Sequence, residues 1–173
     1  MLENKNIKLR ALEPEDIDCL YQWENDTTLW HLSHTIKPFS KYELEQYILN
    51  SHLDIFECKQ LRLVIEKKSA KKTETAGCID LFDFDPVNLR AGIGLFIADK
   101  FRNKGVASEA LEVLKTYARK KLRLQQLYCS VTTDNEASIK LFEASGFKKT
   151  GSRLKWTRKD DQWLDEFFYQ YIF

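Results

Sequence analysis

The stretch DKFRNKGVASEAL, Asp99 to Leu111, sets Arg102, Lys104 and Gly105 where an apolar run ends and a helical pattern begins. Two cations at the front of a helix run against the macrodipole, which favours negative charge there. The conflict resolves if an anion, a phosphate above all, sits on the first turn. A strand, a glycine-bearing turn and a helix aim several backbone N–H groups at one point. With Arg102 or Lys104, those donors suit a pyrophosphate. Gly105 lets the backbone approach closely, and Ala107 is too small to crowd the anion. The pattern R-x-x-G-x-A is neither a Walker A loop nor a G-x-G-x-x-G fingerprint, which points away from ATP and NAD. The plain alternative is a solvated turn.

The elements around that turn follow from periodicity. IKLRALE (7–13) alternates as a half-covered strand does, and Pro14 opens a helix with Ile17, Leu20 and Tyr21 at helical spacing. Residues 25–39 show no clear period and predict an aromatic-rich loop. Ser40 and Glu43 form a capping box before Leu44, Tyr47 and Ile48, which predicts a second helix. LRLVIE, CIDLFDFD and RAGIGLFIA read as strands, the lysine-rich KKSAKKTETAG as a hairpin loop and PVN as a short turn. A helix is predicted from about Lys104 to Lys121. LQQLYCSVTT returns as a strand that buries Leu127, Cys129 and Val131. Asn135 is a good N-cap for a further helix and Gly146 a good left-handed C-cap, with Phe147 as its apolar contact. Two strand-like runs, FKKTGSRLKWT and WLDEFFYQYI, close the chain.

Composition sets outer bounds. The 173 residues carry a formal charge of +1 and are 43% hydrophobic and 13% aromatic, enough for one domain with a sizeable aromatic core. A near-neutral balance argues against nucleic acid and membrane surfaces as partners. No apolar run approaches the roughly 20 residues that span a bilayer, and MLENKNIKLR lacks an apolar signal core, which argues against export. Cys19, Cys58, Cys78 and Cys129 form no C-x-x-C pair and read as free, mostly buried thiols of a reducing, cytoplasmic compartment. Neither the three histidines nor the cysteines show metal-ligand spacing, so no metal site is expected.

IGLFIADKFRNKGVASEAL, followed by LYCSVTTDNEASIKLFEASGF, resembles the Gcn5-related N-acetyltransferase (GNAT) family. The nearest branch holds ribosomal-protein alanine and spermidine N-acetyltransferases. The resemblance runs from IKLRALEPEDI to the final strand. It implies an α/β, single-domain acyl-CoA N-acyltransferase fold over residues 1–173, with a mixed central sheet of about seven strands and flanking helices. It also implies acetyl-CoA as cosubstrate, bound where two neighbouring parallel strands splay apart near Ile97 and Thr132. The backbone of Leu95, Phe96 and Ile97 would then pair with pantetheine. Arg102, Asn103, Lys104, Gly105, Val106 and Ala107 would cradle the pyrophosphate. Asn135 would cap its helix and touch the cofactor, with Ser138 and Lys140 as weaker neighbours.

Two departures bear on proton transfer, which acetyl transfer to an amine needs twice. Phe142, which the resemblance places beside the cofactor, stands where many members of the family carry a tyrosine, and it cannot donate a proton. Water, Ser130, Thr132 or Tyr128 would substitute. RAGIGLFI has glycines where members often carry a glutamate. The nearby carboxylates are Asp80, Asp83 and Asp85, and alternation puts Asp80 and Asp83 on opposite faces. His31 and His34 titrate in a useful range. Asp80, His34 and Ser130 are therefore the catalytic candidates. Trp30, His31 and His34 are expected to face an acceptor, and the absence of acidic residues from Thr27 to Phe39 argues against a polyamine. The expected activity is acetyl transfer to a primary amine, a protein N-terminus or a small molecule, by direct attack in a ternary complex. The alternative is a catalytically silent CoA-binding sensor or interaction module. A homodimer is compatible with either.

Overall fold

The computed structural model describes residues 2–33, 35–70 and 72–173. Seven strands form one sheet in the order β1-β2-β3-β4-β5-β7-β6. They are β1 (Ile7–Arg10), β2 (Leu61–Lys68), β3 (Thr73–Asp85), β4 (Arg90–Ile97), β5 (Gln126–Thr132), β6 (Lys148–Lys159) and β7 (Gln162–Ile172). Every neighbouring pair is antiparallel except β4 and β5. A parallel pair needs a crossover, and α5 (Val106–Lys120) supplies it.

The other helices are α1 (Ile17–Glu24), α2 (Trp30–Ser33), α3 (Lys41–Leu49), α4 (Ile55–Cys58) and α6 (Glu136–Ala144). The Ser40–Glu43 capping box is present at α3, and Asn135 caps α6 by accepting from the Ser138 N–H at 3.1 Å. Two short helices lie where no element was expected. In the predicted loop, Asp26 Oδ1 accepts from the Thr28 N–H and starts a turn that runs into α2. At α4, Asp54 and Glu57 form a second capping box, a D-x-x-E signal present in the sequence.

The sheet is covered on both faces. One face packs α5 through Ala110, Leu111, Leu114 and Ala118 against Ile65, Ile79, Ile93 and Leu127. The other carries a smaller cluster of Leu12, Leu20, Leu44, Ile48 and Val64 under α1 and α3. Leu63 and Ile65 therefore serve one layer and Val64 the other, as the period of a strand requires. Of the four free cysteines, Cys78 and Cys129 are buried, Cys19 is half-buried and Cys58 is exposed, so burial covers only half of them.

Candidate active site

The parallel pair opens partway along. Arg90, Ala91 and Gly92 pair with Gln126, Leu127 and Tyr128, and no rung joins the strands beyond that. Yet β4 continues to Ile97 and β5 to Thr132. About five residues of β4, roughly 16 Å of strand, thus leave one backbone edge unpaired toward β5. Gly92 also makes room. A Cβ there would lie 2.3 Å from the Phe82 ring, so that ring occupies the space a larger residue would need.

At the end of β4 the chain turns through Asp99–Phe101 into α5. Asn103 and Gly105 hold φ of +57° and +75°, and beyond its own chain neighbours nothing lies within 4 Å of where a Gly105 Cβ would be. The first helical bond joins the Glu109 N–H to the Gly105 carbonyl, so the N–H groups of Val106, Ala107 and Ser108 precede that ladder. Arg102 bends back, donating from Nε to the Ile97 carbonyl at 3.0 Å and pairing with Asp99 at 2.8 Å. Lys104 Nζ reaches the Lys100 carbonyl at 2.7 Å. Both cations brace the turn and leave its amides uncovered.

A cavity of about 730 Å³ sits at the split. Its wall includes Leu95 and Phe96 of β4, residues 128–132 of β5, and Asn135, Ser138 and Phe142. Ile97 and residues 102–107 lie outside this wall, Ile97 buried and the turn exposed from Arg102 to Gly105. Thr132 Oγ1 is buried in the wall with no hydrogen-bond partner among the described residues. A free strand edge, an orphaned hydroxyl and an open glycine turn together fit a ligand with an amide-bearing arm and a diphosphate.

Asp80 and Ser130 both line this cavity; His34 lies outside the described residues. Both Asp80 oxygens accept from Arg62, at 2.8 and 3.0 Å, and the same guanidinium holds Glu24 at 2.5 Å and stacks on Tyr47. Burial opposes the Arg62 charge, but the Asp80 carboxylate outweighs it and keeps the guanidinium pKa well above its ordinary value. Ser130 is exposed, and its Oγ accepts from Arg153 Nη1 at 3.2 Å. Phe142 is buried and packs edge-on against Phe147, with ring centres 5.1 Å apart. Trp30 and His31 line the cavity as well.

The expected separation of Asp80 from Asp83 fails, because both reach the same cavity. The register of β3 against β4 slips between Phe82 and Asp85, and Asp83 takes φ of +48°. A bulge re-aims the side chain that simple alternation would send to the other face.

Sequence reasoning missed Arg62, Arg153, Trp156 and Glu166, all of which line the cavity. Arg62 faces Asp80 across β2 and β3, and Thr132 faces Glu166 across β5 and β7. Those pairings need the strand register, which one strand's pattern does not carry. Cys78 and Cys129 also line the cavity; burial pushes the Cys78 thiol up and the Cys129 thiol up to about 12. Neither is a thiolate at neutral pH. Among the described residues no cluster of His, Cys, Asp and Glu could hold a metal ion, and no helix is long and apolar enough to cross a membrane.

Comparison with known proteins agrees with this geometry. Residues 6–148 match the family model described as the Acetyltransferase (GNAT) domain. Spermidine N(1)-acetyltransferase of Escherichia coli (strain K12) is 27% identical over 149 residues, covering 86% of this chain and 76% of that protein. Among solved structures, spermidine N-acetyltransferase from Vibrio cholerae, in complex with CoA and spermine, superimposes with a TM-score of 0.86 at 24% identity. That match covers 98% of this chain and 96% of the other. RimL, a ribosomal L7/L12 alpha-N-protein acetyltransferase in complex with coenzyme A, gives a TM-score of 0.81 at 21% identity, over 98% of this chain and 95% of its own. The fold is thus shared with both, and the chain belongs to the GNAT acetyltransferase family, enzymes that carry acetyl from acetyl-CoA to an amine.

Proposed function

We infer that the chain acetylates a primary amine that arrives as a cation, gives up a proton to solvent in the open cavity and, as the neutral amine, attacks directly within a ternary complex. The observation that carries this reading is the β4–β5 split beside a cavity wall with an anionic excess. Four carboxylates line that wall, Glu24, Asp80, Asp83 and Glu166, against two guanidinium groups, Arg62 and Arg153. An ammonium is favoured there and an anionic acceptor is not. When bound, acetyl-CoA supplies an acetyl group on a thiol leaving group with a pKa of about 8.5.

The residues then divide the work. In this reading the amides of Asn103 to Ala107, with Arg102 and Lys104, hold the diphosphate. The free edge of Leu95, Phe96 and Ile97 and the cap at Asn135 align the arm. Phe142 packs against it without donating. The Ser130 hydroxyl, whose oxygen already accepts from Arg153, keeps its proton free to donate toward the sulfur. Asp80, with Arg62 on both oxygens, adds negative charge to the wall rather than an uncommitted base. Protonated Cys78 and Cys129 offer no nucleophile for a covalent route, which favours direct attack.

The acceptor is a primary amine at the end of a peptide or small molecule. A second cavity, of about 820 Å³, shares Trp30, His31 and Trp156 with the first and offers room for the rest of such an acceptor. Relatives named for spermidine and for a ribosomal protein span both kinds of amine.

Thiol release from acetyl-CoA, measured against spermidine, alaninamide, glucosamine and a peptide with a free N-terminus, tests this reading. Release that requires an amine is expected. A stoichiometric burst of thiol without any amine would overturn direct attack. Tight CoA binding with no release on any acceptor would leave only the silent binding module. Gly105→Val, with its left-handed backbone, is expected to abolish measurable CoA binding; unchanged affinity would reject the placement of the diphosphate.

A further inference from the structure

We propose that Asp83, with the Tyr128 hydroxyl beside it, is the seat of the acceptor's ammonium group. This rests on the acetyltransferase reading above and adds the residue that selects the acceptor's charge. Three of the four cavity carboxylates are already committed: Glu24 and Asp80 to Arg62, and Glu166 to Arg153 at 3.5 Å and to the Thr157 hydroxyl. Among the described residues no cation pairs with Asp83. Its position is also specific. The bulge at φ of +48° turns Asp83 into the cavity against the alternation of β3, a conformation that aspartate tolerates better than most residues.

Tyr128 and Gly92 form the last rung before the sheet splits, and Phe82 packs edge-on to Tyr128 in the space that Gly92 leaves. A ligand whose diphosphate rests beyond Ile97 and whose arm follows the free edge of β4 ends at this vertex. Its reacting carbonyl and the Asp83–Tyr128 pair therefore meet. Burial, and then the Asp83 charge, raise the Tyr128 pKa, so the phenol stays protonated and its oxygen can accept from an ammonium.

The test is Asp83→Asn, which keeps the shape and suits a left-handed backbone equally well, so the fold is retained. With the best amine of the panel at low salt, KM for the amine is expected to rise about fivefold while CoA affinity stays within twofold. The difference should fade in high salt, which a merely structural role would not show. An unchanged amine KM overturns the proposal. If no panel amine turns over, the functional reading fails on its own. The seat is then read by NMR, as the shift of the Tyr128 ring signals when ethylamine is titrated into CoA-loaded protein. Loss of that shift in Asp83→Asn supports the seat, and the same shift in both proteins, or in neither, overturns it.

Discussion

Phe142 brings a ring and no proton to the cavity wall, so a proton for the departing sulfur comes from another group or from water. In the proposed reading Ser130 gives it, with Arg153 on its oxygen and no acceptor for its proton among the described residues. Ser130→Ala is expected to lower kcat about tenfold at pH 7, leave KM for acetyl-CoA unchanged, and lose its effect above about pH 8.5, where a thiolate leaves unaided. A flat kcat across that range would hand the proton to water. Arg62 makes a separate case at the same scale. It is the shared cation of Glu24 and Asp80, and the exposures of the three side chains are 17%, 20% and 15%. Arg62→Ala strands two half-buried carboxylates. It is expected to cost about 3 kcal/mol in urea unfolding, with Arg62→Lys in between because an ammonium lacks the fork that grips both.

A carboxylate ties the start of helix α1 to the sheet, as Glu24 ties its end to Arg62 of β2. Asp16 sits in the turn that starts the helix, accepts from the Glu13 N–H at 2.9 Å, and accepts from Nη1 and Nη2 of Arg10 in β1 at 2.6 and 2.8 Å. Burial alone would raise its pKa, but the Arg10 and Glu13 hydrogen bonds outweigh it and hold the carboxyl below 3.8. A carboxyl depressed in the folded state stabilises above its unfolded pKa and loses that contribution as acid fills it. Asp16→Asn is therefore expected to cost about 2 kcal/mol at pH 7. Below pH 3.8 the wild type should lose stability faster, and the two proteins should converge in strong acid, as urea unfolding at stepped pH would show. This tie was not legible in the sequence, whereas the cap of the neighbouring helix was. Ser40 and Glu43 act three residues apart, and so do Asp54 and Glu57, whose box was there to be read. Arg10 meets Asp16, and Arg62 meets Asp80, only after strands and helices are assembled. The same limit misplaced Asp83: period alone sends it away from Asp80, and the bulge that brings them together is a property of two strands. The glycine turn before α5 was legible because its chemistry lies within a few consecutive residues.

A formal charge of +1 conceals a division across the whole molecule. The turn at the front of α5 carries Lys100, Arg102 and Lys104, while the cavity wall holds two more carboxylates than guanidinium groups. Opposite fields at the two ends of one split sheet would orient an anionic acetyl donor and a cationic acceptor before either makes contact. The turn is exposed, and so is Asp83, the wall's carboxylate that pairs with no cation among the described residues, so salt should weaken both fields. Raising NaCl from about 20 mM to about 500 mM shortens the screening length to a few ångströms. It is expected to raise KM for acetyl-CoA and KM for the amine together, each several-fold, while kcat at saturation changes little. Lys104→Ala should flatten the salt response for acetyl-CoA and leave that for the amine intact, because its ammonium lies at the turn and not in the cavity wall. Steady-state kinetics with each substrate varied in turn separates the two slopes. A salt response confined to one substrate would mean that only one of the two fields is felt.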